Sequence, residues 1–358
     1  MKRILVTGAG GAPATNFVRS LRAAPERFYL IGTDCNEFYL QRAETDEKHL
    51  VPEADDNDYI DILNKVIDET KAEFLHIQND AEMGVLSRDR ERLNIRTFLP
   101  KHETVEICQS KFETFKAWEK AGIRQPKTLK IDTEADLENA IQVLGGEIWL
   151  REISGAGGRG AIRTDSYEVA KAWIDFRAGW GNFTAAECLQ PYSVTWMSVW
   201  KMGELVVAQG RKRLYWELSK LAPSGVTGVT GAGVTTNDPL VDQIAQNAIL
   251  AIDNTPNGIF SVDLTLDREN IPNPTEINIG RFFTTHEFFT RAGLNMPYIF
   301  IKLAYGEQIP AVSKRFNPLP PDLVWIRGVD FLPVLVTMSD ISRYKEELKQ
   351  RREKHGKL

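Results

Sequence analysis

The chain has 358 residues, 42% of them hydrophobic and 26% charged, with a formal net charge of -5. That length predicts two or three domains, and the acidic balance argues against a general nucleic-acid partner. Cys35, Cys108 and Cys188 are scattered and odd in number, which argues against a disulfide framework, and no apolar run approaches the roughly 18 residues of a membrane span.

Residues 1–8 place basic residues before an apolar run, but Gly8 ends it at the length of a strand, so the expectation is a cytoplasmic protein without membrane partners. Residues 3–7 read as a buried parallel strand. Gly8-Ala9-Gly10-Gly11-Ala12-Pro13 then turns into an amphipathic helix carrying Phe17, Val18 and Leu21. A second strand over 28–33 ends at Asp34. This βαβ opening resembles a dinucleotide-binding fingerprint with Pro13 in place of its third glycine, so its glycines serve either NAD or a tight turn. A helix over 59–70 and a strand over 74–77 follow. Asn79, Asp80 and Glu82 stand at that strand's C-terminal end, where parallel sheets bind ligands, and are candidates for holding a substrate amine. The alternative is a helix cap at Asp80. Residues 93–99 read as another short strand.

Near Ser110-Lys111 a new unit begins, with a helix over 112–121, a strand over 127–131 and a helix capped by Thr133 and running to Leu144. Residues 147–163 read as strand, glycine-rich loop, strand, which is neither a Walker A loop nor a Rossmann turn. Gly155, Gly157, Gly158 and Gly160 let backbone N–H groups approach phosphate oxygens, with Arg151 and Arg159 supplying charge. A helix over 167–176 leads to an apolar strand ending at Glu187, where the backbone of Cys188 and Leu189 is a candidate adenine hinge. Strands over 194–200 and 204–209 form a hairpin through Lys201-Met202-Gly203. The second continues into Arg211-Lys212-Arg213. Kept extended, it puts Arg211 and Arg213 on one face to clamp an anionic substrate or a transferred phosphoryl group; the alternative is a solvated strand end. Residues 225–233 read as a loop over a substrate or a wide turn, and 241–250 as a helix.

A strand over 258–267 carries Asp263, and Thr275-Glu276-Ile277-Asn278-Ile279-Gly280-Arg281 follows an Asn/Pro-rich turn. Residues two apart on a strand point the same way, so Glu276 and Asn278 project together and Asp263 can join them. Two carboxylates and an amide oxygen suit Mg²⁺ carrying nucleotide phosphates, with Mn²⁺ as a substitute. Arg281 lies just beyond, placed to hold an anion. The plain alternative is a polar strand end. Residues 318–321 read as a linker, 325–336 as strand-like, and 339–358 as a charged helix of basic balance, a solvated surface helix or else one that binds an acidic partner. His76 and His286 fit no zinc or nucleophile spacing and read as local structure.

The order of these pieces resembles the ATP-grasp superfamily as far as residue 310. Residues 281–307 look most like the matching region of the carbamoyl phosphate synthase large subunit, with biotin carboxylase a more distant likeness. The resemblance implies an α/β and α+β chain: a Rossmann-like domain over 1–110, a two-lobed ATP-grasp domain over 111–330 with its lid over 127–187, and a charged helical tail over 331–358. It implies that Lys111 and Arg151 contact ATP phosphates under a 155–160 flap, and that Glu187 and Leu189 face the adenine. It further implies that Asp263, Glu276 and Asn278 bind one or two Mg²⁺ ions and that Arg281 steadies an acyl phosphate. The family's arginine usually stands four residues after the glutamate; here Gly280 places Arg281 one further on. The expected activity is ATP-dependent ligation of a small-molecule carboxylate to an amine through an acyl phosphate, releasing ADP and phosphate, in a chain that can pair as a homodimer. A carbamoyl phosphate- or carboxyphosphate-forming enzyme, an NAD-dependent oxidoreductase and a non-catalytic nucleotide-binding module are the other readings.

Overall fold

The computed structural model describes residues 1–154, 158, 160–328 and 334–355. Its first sheet grows from the alternation β1 (Lys2–Val6), α1 (Ala12–Arg22), β2 (Phe28–Asp34), α2 (Glu37–Arg42), β3 (Glu47–Leu50), α3 (Tyr59–Thr70), β4 (Phe74–His76) and α4 (Asp80–Arg88). The strands run parallel in the order β3-β2-β1-β4. Leu5 packs into one core while Ile4 and Val6 pack into the other, so β1 is covered on both faces and reads as a continuous apolar run. The glycine turn after β1 is closed by the protein itself. A Cβ at Gly10 would lie 2.0 Å from the Tyr39 carbonyl oxygen, and the Gly10 N–H donates to Asp34 at 3.0 Å. The turn thus serves the close packing of α2, the structural one of its two readings. Residues 93–99 do not form the expected strand. Arg96 makes a single bridge to Phe74, while the Asn94 N–H is taken by the Asn64 side chain at 3.0 Å.

Next come α5 (His102–Gln109), α6 (Lys111–Lys120), β5 (Thr128–Ile131), α7 (Glu134–Leu144), β6 (Ile148–Glu152), β7 (Ile162–Thr164), α8 (Tyr167–Phe176) and β8 (Phe183–Glu187). A capping box between Thr133 and Asp136 starts α7. The second sheet, β5-β8-β6-β7, is antiparallel and shares a small core with α7 and α8 around Leu137, Ala140, Ala170 and Ile174. β6 and β7 form the expected hairpin; Gly155, Gly157 and Arg159 of its loop lie outside the described residues.

The chain finishes with β9 (Ser193–Lys201), β10 (Glu204–Trp216), β11 (Thr230–Thr236), α9 (Pro239–Leu250), β12 (Gly258–Leu266), β13 (Pro272–Ile279), α10 (Glu287–Arg291), α11 (Met296–Ala304), β14 (Val324–Ile326) and α12 (Met338–His355). The third sheet has the order β13-β12-β9-β10-β11-β14. Trp196, Trp200, Phe260 and Val262 pack with Val241 and Ala245 of α9, and Met197, Val199 and Ile259 pack with Phe282 and Phe300. Trp118 joins α6 to α9: it is fully buried, and its indole N–H donates to Ala248 O at 2.9 Å. Burial of such a side chain contributes about 1.5–3 kcal/mol.

The 225–233 segment is not wholly a loop, because residues 230–236 pair as β11 with β10 and β14. Its glycines make room for β10 side chains. A Cβ at Gly231 would meet the Tyr215 ring at 2.0 Å, and one at Gly233 would meet Arg211 at 2.7 Å. Of the strand-like 325–336 stretch only 325 and 326 pair, as part of β14 (Val324–Ile326), and 329–333 lie outside the described residues. α12 is exposed along most of its length, as its charge suggests, but one end is tied down. Arg351 is only 8% exposed and donates to Glu69 at 2.8 Å and to His49 Nδ1 at 2.9 Å. Arg352 pairs with Asp56 and Asp58, so the helix's basic side meets acidic residues around α3. No helix among the described residues is long and apolar enough to cross a membrane.

Candidate active site

Asp263 on β12 and Glu276 on β13 are cross-strand partners. Both line a cavity of about 400 Å³ between the second and third sheets, a size suited to a small molecule. Four cations share its wall with them: Lys111 from the start of α6, Arg151 from β6, Arg213 from β10, and Arg163 from β7, which is paired with Glu147. Lys111 Nζ and Arg151 Nη1 each stand 4.0 Å from Glu276 Oε2. Burial, with the facing Asp263 carboxylate, still holds the Glu276 carboxyl above its ordinary range. Burial also lowers Lys111 and Arg151. Arg151 donates to Thr275 O at 2.9 Å, and its buried Nε has no hydrogen-bond partner among the described residues.

This arrangement fits a metal-bound phosphate. Two carboxylates crowding each other are relieved by a divalent cation, and buried cations by an anion. Among the described residues no cluster of three His, Cys, Asp or Glu side chains has the geometry to hold a metal. Mg²⁺ suits such a site, because it commonly takes one or two carboxylates and completes its shell with phosphate and water.

Asn278 and Arg281 are arranged differently from the sequence expectation. The Asn278 Oδ1 accepts from Arg281 Nη2 at 2.7 Å, and its Nδ2 donates to Asp263 Oδ2 at 3.2 Å. Arg281 turns away from the cavity and takes both oxygens of Asp80, at 2.6 and 3.0 Å. The turn is made at Gly280, whose φ of +72° favours glycine and whose Cβ would lie 2.3 Å from the Met83 methyl. Burial acts to raise the Asp80 carboxyl, but Arg281 outweighs it and leaves Asp80 below the usual range.

Arg211 is buried and Arg213 half-buried on one face while Lys212 points out, so these two arginines are not solvated, although Leu214 and Tyr215 beyond them are exposed. Arg211 is 2% exposed, donates to Thr195 at 2.9 Å and Thr230 at 3.2 Å, and makes no ion pair among the described residues. Burial, with neighbouring Arg213, lowers it to about 9. Arg213 donates to Ser193 and Thr230, lies 3.5 Å over the Trp216 ring and stands 3.9 Å from Asp263. Arg211 and Gly160, like Asn278 and Arg281, are not part of the cavity wall.

At the other end of the cavity Glu187, Cys188 and Leu189 line the wall together. The Glu187 carboxylate accepts from the Lys127 N–H at 2.9 Å, which ties the hinge to β5. Gly158 and Val226 also line the wall and pack closely, since a Cβ at Gly158 would lie 2.4 Å from Val226 O. The sequence reading missed three lining aromatics, Phe115, Trp149 and Trp216. Trp149 was legible, two residues before Arg151 on one strand; Trp216 was not, because irregular β10–β11 register precedes it.

The candidates on the first sheet are mostly structural. Asn79, not Asp80, caps α4 by accepting from the Glu82 N–H at 2.8 Å. Glu82 accepts from Tyr59 Oη at 2.7 Å, and burial raises it to about 7. His76 stacks on Phe17 at 3.9 Å, and burial drives His286 down to about 4, so both are neutral core residues as expected.

No family model matches the sequence. Among solved structures, the chain is similar to a carboxyaminoimidazole ribonucleotide synthase from Aspergillus clavatus complexed with ATP, at 14% identity and a TM-score of 0.67 over 89% of this chain and 80% of that one. An L-amino acid ligase from Bacillus licheniformis matches at 14% identity and a TM-score of 0.66, over 87% and 78%. A biotin carboxylase complex with β,γ-ATP from Campylobacter jejuni matches at 15% and 0.64, over 87% and 72%. The chain has the fold of these neighbours.

Proposed function

We propose that the chain is an ATP-dependent ligase that joins a small-molecule carboxylate to an amine and releases ADP and phosphate. The observation that carries this reading is the opposed pair Asp263 and Glu276 on the wall of the cavity, with Lys111 and Arg151 each 4.0 Å from Glu276. The adenine lies at the Glu187–Leu189 end beside Trp149, and the phosphates reach Lys111 and Arg151. Asp263 and Glu276 hold Mg²⁺, which when bound neutralises phosphate charge. The rest of the catalysis is positioning and charge compensation by side chains, as is general for phosphoryl transfer.

A substrate carboxylate oxygen attacks the γ-phosphorus as its bond to ADP breaks, and an amine nitrogen then attacks the acyl carbon, displacing phosphate, which takes the proton the nitrogen loses. Arg213 takes the anion-holding role first assigned to Arg281, because it lines the cavity whereas Arg281 is paired with Asp80. Arg211 supports it through their shared partners Thr195 and Thr230.

The test is release of ADP and phosphate across a panel of amino acids, sugar acids and amines. Bicarbonate and ammonia belong in the panel, given the likeness of residues 281–307 to carbamoyl phosphate synthase and the bicarbonate complex of a similar 2-oxoglutarate carboxylase domain. Acceptor-dependent ADP release is the expected result. Nucleotide binding without turnover under any pairing contradicts the ligase reading.

A further inference from the structure

We propose that Asp80 is a positioning residue for the metal end of the site, acting through Arg281 and Asn278; this rests on the nucleotide-ligase reading above. A continuous line of hydrogen bonds runs from the first sheet into the cavity. Asp80, the first residue of α4, takes Arg281 through both carboxylate oxygens at 2.6 and 3.0 Å. Arg281 donates to Asn278 Oδ1 at 2.7 Å, and Asn278 Nδ2 donates to Asp263 Oδ2 at 3.2 Å. Thr195 donates to the other Asp263 oxygen at 2.5 Å.

The chemistry fixes the amide's orientation. A guanidinium only donates, so the atom beside Arg281 is the oxygen, and the atom beside the Asp263 carboxylate is the nitrogen. Asn278 therefore holds Asp263 by its N–H instead of giving an oxygen to a cation. A bare guanidinium this close to the carboxylate pair would also repel a dication; Asp80 neutralises it. The bidentate pair fixes the plane of Arg281 as well as its place. Gly280 makes the contact possible, since the missing Cβ admits Met83 of α4 and brings Asp80 to the end of β13.

Outer partners of metal-holding groups typically alter metal affinity 10–100-fold. The test is Mn²⁺ binding in the presence of ADP, followed by electron paramagnetic resonance on the full chain, beside ADP affinity in EDTA by calorimetry. Asp80→Asn is expected to weaken Mn²⁺ binding about tenfold or more while ADP affinity in EDTA stays unchanged, and Asp80→Glu to recover part of the loss. Asn278→Asp is expected to weaken Mn²⁺ binding too, because it sets a carboxylate against Asp263. Unchanged Mn²⁺ affinity in Asp80→Asn, or tighter Mn²⁺ binding in Asn278→Asp, overturns the proposal. So does an equal loss of ADP affinity in EDTA. Failure of the wild-type chain to bind Mn²⁺ with ADP is a separate result, and it overturns the nucleotide reading on which the proposal rests.

Discussion

Lys111 Nζ lies 4.0 Å from Glu276 Oε2, bringing the first residue of α6 to the end strand of the third sheet. The cation and the carboxylate are 165 positions apart in the chain, as their numbers give (276 − 111), and both line one cavity. Glu276→Gln keeps the shape and removes a charge. It is expected to reduce acceptor-dependent ADP release by on the order of 10²-fold with the circular dichroism spectrum unchanged. Wild-type turnover at ordinary Mg²⁺ would sink the metal assignment.

Arg213 faces the cavity and Arg211 sits behind it. Arg213→Met is therefore expected to raise the KM for the carboxylate substrate about tenfold or more, the worth of a charged hydrogen bond, with a smaller effect on the KM for ATP. Steady-state kinetics with each substrate varied in turn make the check. An equal change in both KM values would place Arg213 on the nucleotide instead.

Gly10 carries a packing constraint and not a cofactor. Gly10→Ala drives a methyl group toward the Tyr39 carbonyl, 2.0 Å from the ideal Cβ position. A loss of about 1–3 kcal/mol is expected, read as a lower urea midpoint. NADH fluorescence titration of the wild-type chain is expected to show no binding. Saturable NADH binding would restore the oxidoreductase reading.

Glu82 gives stability a pH dependence of defined sign. Burial raises its folded value from 4.5 to about 7, so between those values the folded protein keeps a proton that the unfolded chain has released. The group's contribution is full below pH 4.5 and is lost as pH rises through 7. Glu82→Gln is expected to remove up to about 3 kcal/mol of the stability difference between those limits, measured as urea midpoints at pH 5 and pH 8. An identical pH profile in the two proteins would show that Glu82 ionises normally.

Much of the site was legible because strand alternation is a local property. Strand alternation puts Glu276 and Asn278 on one side and, along β10, Arg211 and Arg213 on one face, but a register shift beside Asp263 is what brings Glu276, and not Thr275, opposite it. Arg281 could not be read this way. Its direction depends on the positive φ at Gly280 and on Asp80, which is 201 positions away. The β11 strand was hidden for a similar reason, since its glycines look like a loop until the Tyr215 and Arg211 side chains are laid over them.

The sequence by itself determined the parallel opening sheet, the glycine-rich hairpin and the carboxylates and cations of the cavity, because each follows from a period of two, a turn, or a residue's own chemistry. Only the tertiary structure decided which of those groups face the cavity. It turned Arg281 and Asn278 inward to Asp80 and Asp263, left Arg213 on the wall, and laid the basic side of α12 against the acidic residues around α3. The physical reason is that a long charged side chain pairs with whatever opposite charge the fold brings within about 4 Å, and that partner is set by packing between distant elements, not by neighbours in sequence.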